Sequence, residues 1–169
     1  MNQTRGQNGR ADATHSEEVE ATIERLYEEI RAANSDPQVR LAPDQPLESV
    51  RNRVVDGLFD GERFDFDESM MKENLDEILL LLIAARESDR HGKALIGDLT
   101  TVFDAHLSPG TVYPRLHELD ERGTVDVKPL VRTKEYEIAD EGAMTNRIES
   151  AMRQHLAMGM FLRAALSEL

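Results

Sequence analysis

The stretch LSPGTVYPRLHEL, Leu107 to Leu119, concentrates the side chains of this sequence best suited to touching another molecule. Ser108 is a good N-cap, and Pro109 suits the first helical position, where a missing N–H costs nothing. Val112, Leu116 and Leu119 are spaced four and three apart and define a buried stripe. That stripe leaves Thr111, Arg115, Glu118 and Arg122 on the outward face. Two kinds of chemistry follow from such a helix. Its start presents unpaired N–H donors to an anion, which suits Ser108, the Gly110 N–H and Tyr113. Its outward arginine offers a planar fork that matches a pair of acceptors. The plainer reading makes Arg115 a solvated surface arginine and Tyr113 a core ring.

No stretch of the sequence offers catalytic chemistry. The chain contains no glycine-rich phosphate loop, no nucleophile beside a base and no paired carboxylates with a pocket around them, so an enzyme is not expected. No histidine and carboxylate pair has metal-ligand spacing. The absence of cysteine excludes a disulfide framework, a thiolate zinc site and a thiol redox sensor. His91 reads as a cap or packing residue and His117 as a surface histidine.

Charge narrows the classes further. The chain carries 33 Asp and Glu against 20 Lys and Arg, a net charge of −13, and only Lys72, Lys93, Lys128 and Lys134 are lysine. Acid-rich, lysine-poor surfaces resemble those of proteins from organisms with molar intracellular salt. The relief is local: Leu107 to Lys134 holds five basic residues against four acidic ones, a net +1 that leaves −14 elsewhere. A weakened negative field is the faintest form of a nucleic-acid footprint.

The elements that must position these residues follow from periodicity. Residues 1–16 are polar and aperiodic, the pattern of a disordered tail. An N-terminal extension, 17–69, holds a helix from Glu17 to about Asn34, a proline-rich linker, a second helix over Leu47 to Phe59 and an acidic loop, Asp60 to Ser69. In the second helix Leu47, Val50, Val54 and Leu58 share a face. KENLDEILLLLIAARES, Lys72 to Ser88, predicts a helix apolar nearly all round, hence buried on most sides. A further helix runs from about Gly92 to Phe103 with Leu95, Leu99 and Val102 inward. After the helix of Leu107–Leu119, which ends at Arg122-Gly123, Val125 and Val127, then Tyr136 and Ile138, alternate as two half-buried strands. KPLVRTK between them is a hairpin tip bearing Lys128, Arg132 and Lys134. Asp140-Glu141 starts a last helix to about Ser167, in which Met144, Ile148, Ala151, His155, Met158, Leu162 and Ala165 step by four and three. That alternation is a coiled-coil-type seam. Its methionines read as interface packing rather than an oxidation sensor. No apolar run is long enough to span a membrane and no secretory signal is present, so a cytoplasmic location is expected.

Three helices, a two-stranded hairpin and a long helix give a mainly α fold with a small β-hairpin: a winged helix-turn-helix domain over 70–140 plus a C-terminal dimerisation helix over 141–169. Three segments carry a family resemblance: HGKALIGDL (His91–Leu99), LSPGTVYPRLHELDERG (Leu107–Gly123) and KEYEIADEG (Lys134–Gly142). In this order and spacing they resemble PadR-like transcriptional regulators, of the RosR type found in halophilic archaea, over roughly residues 70–169. The pattern departs at Glu135 and Ala139, where the family often has tyrosine and threonine, so contacts from those positions are not carried over. The resemblance implies a homodimer bound to double-stranded DNA at pseudo-palindromic sites, and the RosR type implies oxidative-stress control. Ser108, Gly110 and Tyr113 would then meet phosphates, and Thr111 and Arg115 base edges, Arg115 on a guanine. Lys128, Arg132 and Lys134 would serve the wing, and Lys93 a further phosphate. No cofactor is expected beyond K+ or other salt cations bridging carboxylates to the DNA. The rival reading is a winged helix that binds another protein without specific DNA binding.

Overall fold

The computed structural model describes residues 46–59 and 64–168, and the chain divides between Phe64 and Asp65 into two compact units. The expected tail over 1–16, the helix over 17–34 and most of the proline-rich linker lie outside the described residues. In the first unit, α1 spans Leu47–Phe59, the range the periodicity predicts. Its buried residue is Val55, outside the face shared by Leu47, Val50, Val54 and Leu58, and Val54 is 46% exposed. Counting apolar side chains around a helix misses the contacts that set its rotation. Here Arg51 donates to the Phe64 carbonyl at 3.0 Å, and the rings of Phe59 and Phe64 stack with centroids 4.1 Å apart.

The second unit begins with α2, Glu68–Glu73, and α3, Leu75–Ala85. Sequence predicts one helix over Lys72 to Ser88; the structure starts it earlier, divides it at Asn74 and ends it sooner. Asp67 caps α2, its carboxylate accepting from the Ser69 N–H at 2.7 Å. The Ser69 hydroxyl, which donates to the same oxygen, and this N–H together hold the Asp67 carboxyl below the usual carboxylate range. The Asn74 side-chain amide donates to the Met70 carbonyl at 2.8 Å, competing with the helix ladder, and the backbone leaves the helical region there. At the other end Arg86 turns extended, and its guanidinium grips Asp98 through two bonds of 2.6 and 2.8 Å.

The expectation that α3 is buried on most sides holds: Leu75, Leu79, Leu80, Leu82 and Ile83 are all buried. Around it pack α4 (Gly92–Phe103), α5 (Pro109–Glu121), strand β2 (Lys134–Ile138) and α6 (Glu141–Ser167). His91 caps α4, its imidazole Nδ1 accepting from the Ala94 N–H at 3.0 Å. Leu95 and Leu99 point inward as predicted, while Val102 is only half-buried. Asp104 takes up the left-handed conformation, φ 54°, and turns the chain toward α5. Aspartate tolerates that region because its short polar side chain bonds locally.

Helix α5 begins at Pro109, and Val112, Leu116 and Leu119 are fully buried. Ser108 occupies the N-cap position, but its hydroxyl meets the Thr111 hydroxyl at 3.0 Å rather than a backbone N–H. The helix stops as predicted. Gly123, at φ 70°, donates to the Asp120 carbonyl at 2.8 Å, and Thr124 reaches back to Leu119 at 3.1 Å. This is the paired closure of a helix whose C′ residue is glycine. Strand β1, Val125–Pro129, pairs antiparallel with β2, placing Val125 opposite Ile138 and Val127 opposite Tyr136. Tyr136 and Val125 fill the core side of the hairpin. Burial raises the Tyr136 phenol above its ordinary pKa. Asp140 caps α6 through the Ala143 N–H at 2.9 Å. The result is a winged helix-turn-helix body followed by one long helix.

Leu80 lies at the centre of this body and is fully covered. Truncating it (Leu80→Ala) leaves a cavity and is expected to lower unfolding free energy by about 2–5 kcal/mol. A guanidinium titration, read by circular dichroism, measures the change.

Candidate nucleic-acid interface

The exposed face of α5 carries Gly110, Tyr113, Pro114 and His117. It borders an open groove of about 550 Å³, bounded by the start of α4, by α5 and by the tip of the hairpin. None of the residues lining this groove is acidic, in a chain with 33 acidic residues. Its cations are Lys93, Arg132 and Lys134, and its rings are Tyr113, His117, His91 and Tyr136. Among the described residues these three cations have no carboxylate partner, whereas Lys128 is paired with Glu137 at 2.5 Å. The Lys128 ammonium holds the Glu137 carboxyl below its ordinary range. The groove can therefore receive an anion against rings that offer flat apolar faces.

Tyr113 is seated by a glycine. A Cβ at Gly92 would stand 2.4 Å from Tyr113 Cε1, so only glycine lets the ring lie over the first turn of α4. The ring is neither core nor free: it is 38% exposed. Gly110 has open space, the nearest side-chain atom to a Cβ there being Ser108 Oγ at 3.6 Å. Ser108, Gly110 and Tyr113 thus lie together at one end of α5, with Thr111 half-buried beside them.

Arg115 is placed differently from the outward position that the helical stripe suggests. Its Nε stands 2.6 Å from Asp76 Oδ1 and its Nη1 3.3 Å from Glu118 Oε2, leaving the side chain 34% exposed. Arg122 reaches Asp76 Oδ2 at 3.2 Å and Glu118 at 3.4 Å. Arg147 of α6 contacts the same Asp76 Oδ2 and also Glu77 at 2.8 Å. Asp76 itself has no solvent exposure. An isolated buried carboxylate costs several kcal/mol, so guanidinium groups are drawn to it from two other helices. Periodicity along α5 cannot register a partner on α3. One signal was present: an aspartate at the edge of the apolar run LDEILLLLI must find a cation. Pro114 is an outward position that the stripe did not single out, while His117 is exposed, as expected of a surface histidine.

The seven seam residues of α6 fall into two groups. Met144, Ile148 and Ala151 are half-covered by the body, while Met158, Leu162 and Ala165 are exposed. His155 is used within the chain, its Nε2 standing 2.6 Å from Asn74 Oδ1. No residue of α6 is buried, and Met158, Phe161, Leu162 and Leu166 form an apolar flank, with Leu166 72% exposed.

Gly92→Ala would push Tyr113 off α4 and cost about 1–3 kcal/mol through overpacking. Combining it with Tyr113→Ala removes the clash, so the double variant should recover a large part of that loss relative to Tyr113→Ala alone. Thermal unfolding of the four proteins closes this cycle.

Comparison with known proteins agrees with this geometry. Residues 79–147, from α3 into α6, match the transcriptional regulator PadR-like family. The chain is 39% identical over 127 residues to the transcriptional activator GvpE1 of Halobacterium salinarum, covering 74% of this chain and 65% of that protein. It is 35% identical over 134 residues to the transcriptional activator GvpE of Haloferax mediterranei, covering 79% and 68%. Those alignments are longer than the segment 70–169, so the likeness reaches back into residues 1–69. The chain spans just under two thirds of the length of the first of these relatives. No solved structure matches. A winged helix with this α5 and this last helix, matched by that family and by these relatives, belongs to the PadR-like family of transcriptional regulators.

Proposed function

We propose that this chain is a homodimeric, sequence-specific DNA-binding regulator of transcription, acting in a concentrated-salt cytoplasm. One observation carries the DNA reading: the groove beside α5 has no acidic lining, and the cations Lys93, Arg132 and Lys134 meet there. Phosphates would lie along this groove, with Ser108, the Gly110 N–H and Tyr113 at the helix start. Thr111 and His117 face the bases, and Arg115 contributes where it can leave Glu118. Lys128 serves the wing through its pairing with Glu137. The relatives' names support the sign of an activator.

The apolar flank of α6 supports the dimer. Met158, Phe161, Leu162 and Leu166 together expose more apolar side chain than one helix leaves in water without a partner. A second copy of α6 covers it, which places two α5 helices on half-sites of a pseudo-palindrome about one or more helical turns apart. The resemblance to the RosR type supports a role in the oxidative-stress response. Mapping bound sites before and after an oxidant tests that role, and an unchanged map counts against it.

Salt is the distinguishing variable. Phosphate neutralisation ordinarily releases counterions, so affinity falls as salt rises. At molar salt the Debye length is about 3 Å, and the distant carboxylates of a −13 chain are screened. The acidic surface then takes up K+ between its carboxylates and the phosphates. Operator affinity is expected to hold or rise from low to molar KCl, and a steep fall in the binding isotherms would refute the cation uptake.

Arg132→Ala with Lys134→Ala should weaken binding about tenfold or more across all DNA sequences, as the loss of two phosphate contacts does. If neither the native chain nor this variant bound promoter DNA while both retained a protein partner, the protein-interaction reading would replace this one. Met158→Glu with Leu162→Glu should give monomers in light scattering and lose tight operator binding. A persistent dimer would refute the α6 interface.

A further inference from the structure

Asp76 stands at the second position of α3 and is fully enclosed. Its two oxygens are divided between helices. Oδ1 faces Arg115 at 2.6 Å, while Oδ2 is shared by Arg122 at 3.2 Å and by Arg147. Arg115 and Arg122, the C-cap residue, lie two turns apart, so the carboxylate meets α5 at two points: an ion pair with Arg115 Nε and a hydrogen bond from Arg122 Nη1. Arg147 lies in the second turn of α6 and is held a second time by Glu77 at 2.8 Å. Glu118 bridges Arg115 and Arg122 at 3.3 and 3.4 Å, which closes a network of three acids and three arginines.

The consequence lies in α6. Because no residue of α6 is buried, no deep apolar packing fixes the angle at which it leaves the body. Among the described residues, the directional contacts from α6 to the body include Arg147 with Asp76 and Glu77, and His155 with Asn74 at 2.6 Å. Half-covered apolar contacts are non-directional, whereas a guanidinium fork on a carboxylate has a preferred geometry. From Arg147 to Leu162 the helix runs about 22 Å, so a small rotation at the clasp becomes a large displacement at the apolar flank. Asp76 itself is enclosed, so its contacts are screened by salt less than pairs between two exposed groups.

We propose that Asp76 is a positioning residue: by gripping α5 and α6 together, through Arg115, Arg122 and Arg147, it sets the separation of the two α5 helices in the dimer and hence the half-site spacing the protein accepts. This rests on the dimer and DNA reading given above. The chain has no cysteine, so a single Glu121→Cys change at an exposed position of α5 carries a spin label that reports one distance between protomers. The full-length protein with native Arg147 should give one narrow distance distribution. Arg147→Gln releases α6 but leaves Asp76 compensated by Arg115 and Arg122, and should stay dimeric with a clearly broadened or shifted distribution. Arg147→Lys keeps the charge without the fork and should fall between the two.

Operators whose half-sites are moved apart base pair by base pair supply a second reading. Arg147→Gln should flatten the spacing preference by about tenfold, the scale of one coupled contact, while its affinity for a single half-site stays close to that of the native chain. Should Arg147→Gln disturb folding, Glu77→Gln loosens the same clasp from its outer side and should shift the distance in the same sense. A distribution that stays narrow and unmoved in both variants overturns the positioning role, whatever DNA does. Spin labels showing no distance between protomers in the native chain would overturn the dimer reading and this inference together. A narrow native distance with no operator binding would remove the DNA reading and the spacing claim, and leave only the clasp geometry.

Discussion

A single carboxylate withdrawn from water organises the second unit of this protein. Asp76 sits at the head of α3 with no exposure, and Arg115, Arg122 and Arg147 converge on it from α5 and α6. Removing a charge from water is costly, and it is tolerated only where geometry and hydrogen bonds compensate it. Arginine is suited to that duty because its guanidinium is planar, always charged and weakly hydrated. The apolar body around Leu79, Leu80, Leu95, Leu99 and Leu116 is close-packed and holds its helices by shape. The charged clasp adds direction to that packing, because a misplaced guanidinium leaves Asp76 less well compensated. The buried stripe of Val112, Leu116 and Leu119 sets the face that α5 turns outward, and the clasp ties that helix to the start of α6 through one buried group.

The same pairing logic distributes charge over the surface. Arg86 is held by Asp98, Lys128 by Glu137, Lys72 by Glu68, and the three clasp arginines by Asp76 and its neighbours. Lys93, Arg132 and Lys134 have no such partner among the described residues, and they converge on a groove without acidic lining. In a strongly acidic chain this arrangement concentrates attraction for an anion at one place and leaves repulsion everywhere else. Repulsion of that kind is long-ranged in dilute buffer and short-ranged in concentrated salt. Relatives of this chain come from Halobacterium and Haloferax, and an acidic surface with a small basic window is consistent with function under strong screening.

Much of the fold was legible from local pattern. The stripe of Val112, Leu116 and Leu119, the glycine at position 123, the alternation of Val125 and Val127, and the aspartate that caps α6 each act on neighbouring residues, and each was read correctly. The segments His91–Leu99, Leu107–Gly123 and Lys134–Gly142 also sufficed to indicate the family. The departures share a cause. The division of α2 from α3 depends on how the Asn74 side chain competes with the helix ladder, and the rotation of α1 depends on Arg51 and on the ring stack of Phe59 and Phe64. The Ser108 hydroxyl meets another side chain rather than the backbone.

The sequence by itself determined which segments are helices and strands, which residues form the core stripe, that the chain is acidic and free of cysteine, and that it has the order of a winged helix. These properties depend on periodicity and composition, which act over a few residues. Only the tertiary structure decided where the charged groups point. Arg115 looks outward on its own helix, yet it turns to a carboxylate that lies far back in the chain, and Arg147 does the same from the other side. Tyr113 lies over α4 because a glycine there leaves room. Such choices follow from burial, and burial is settled only when distant helices meet.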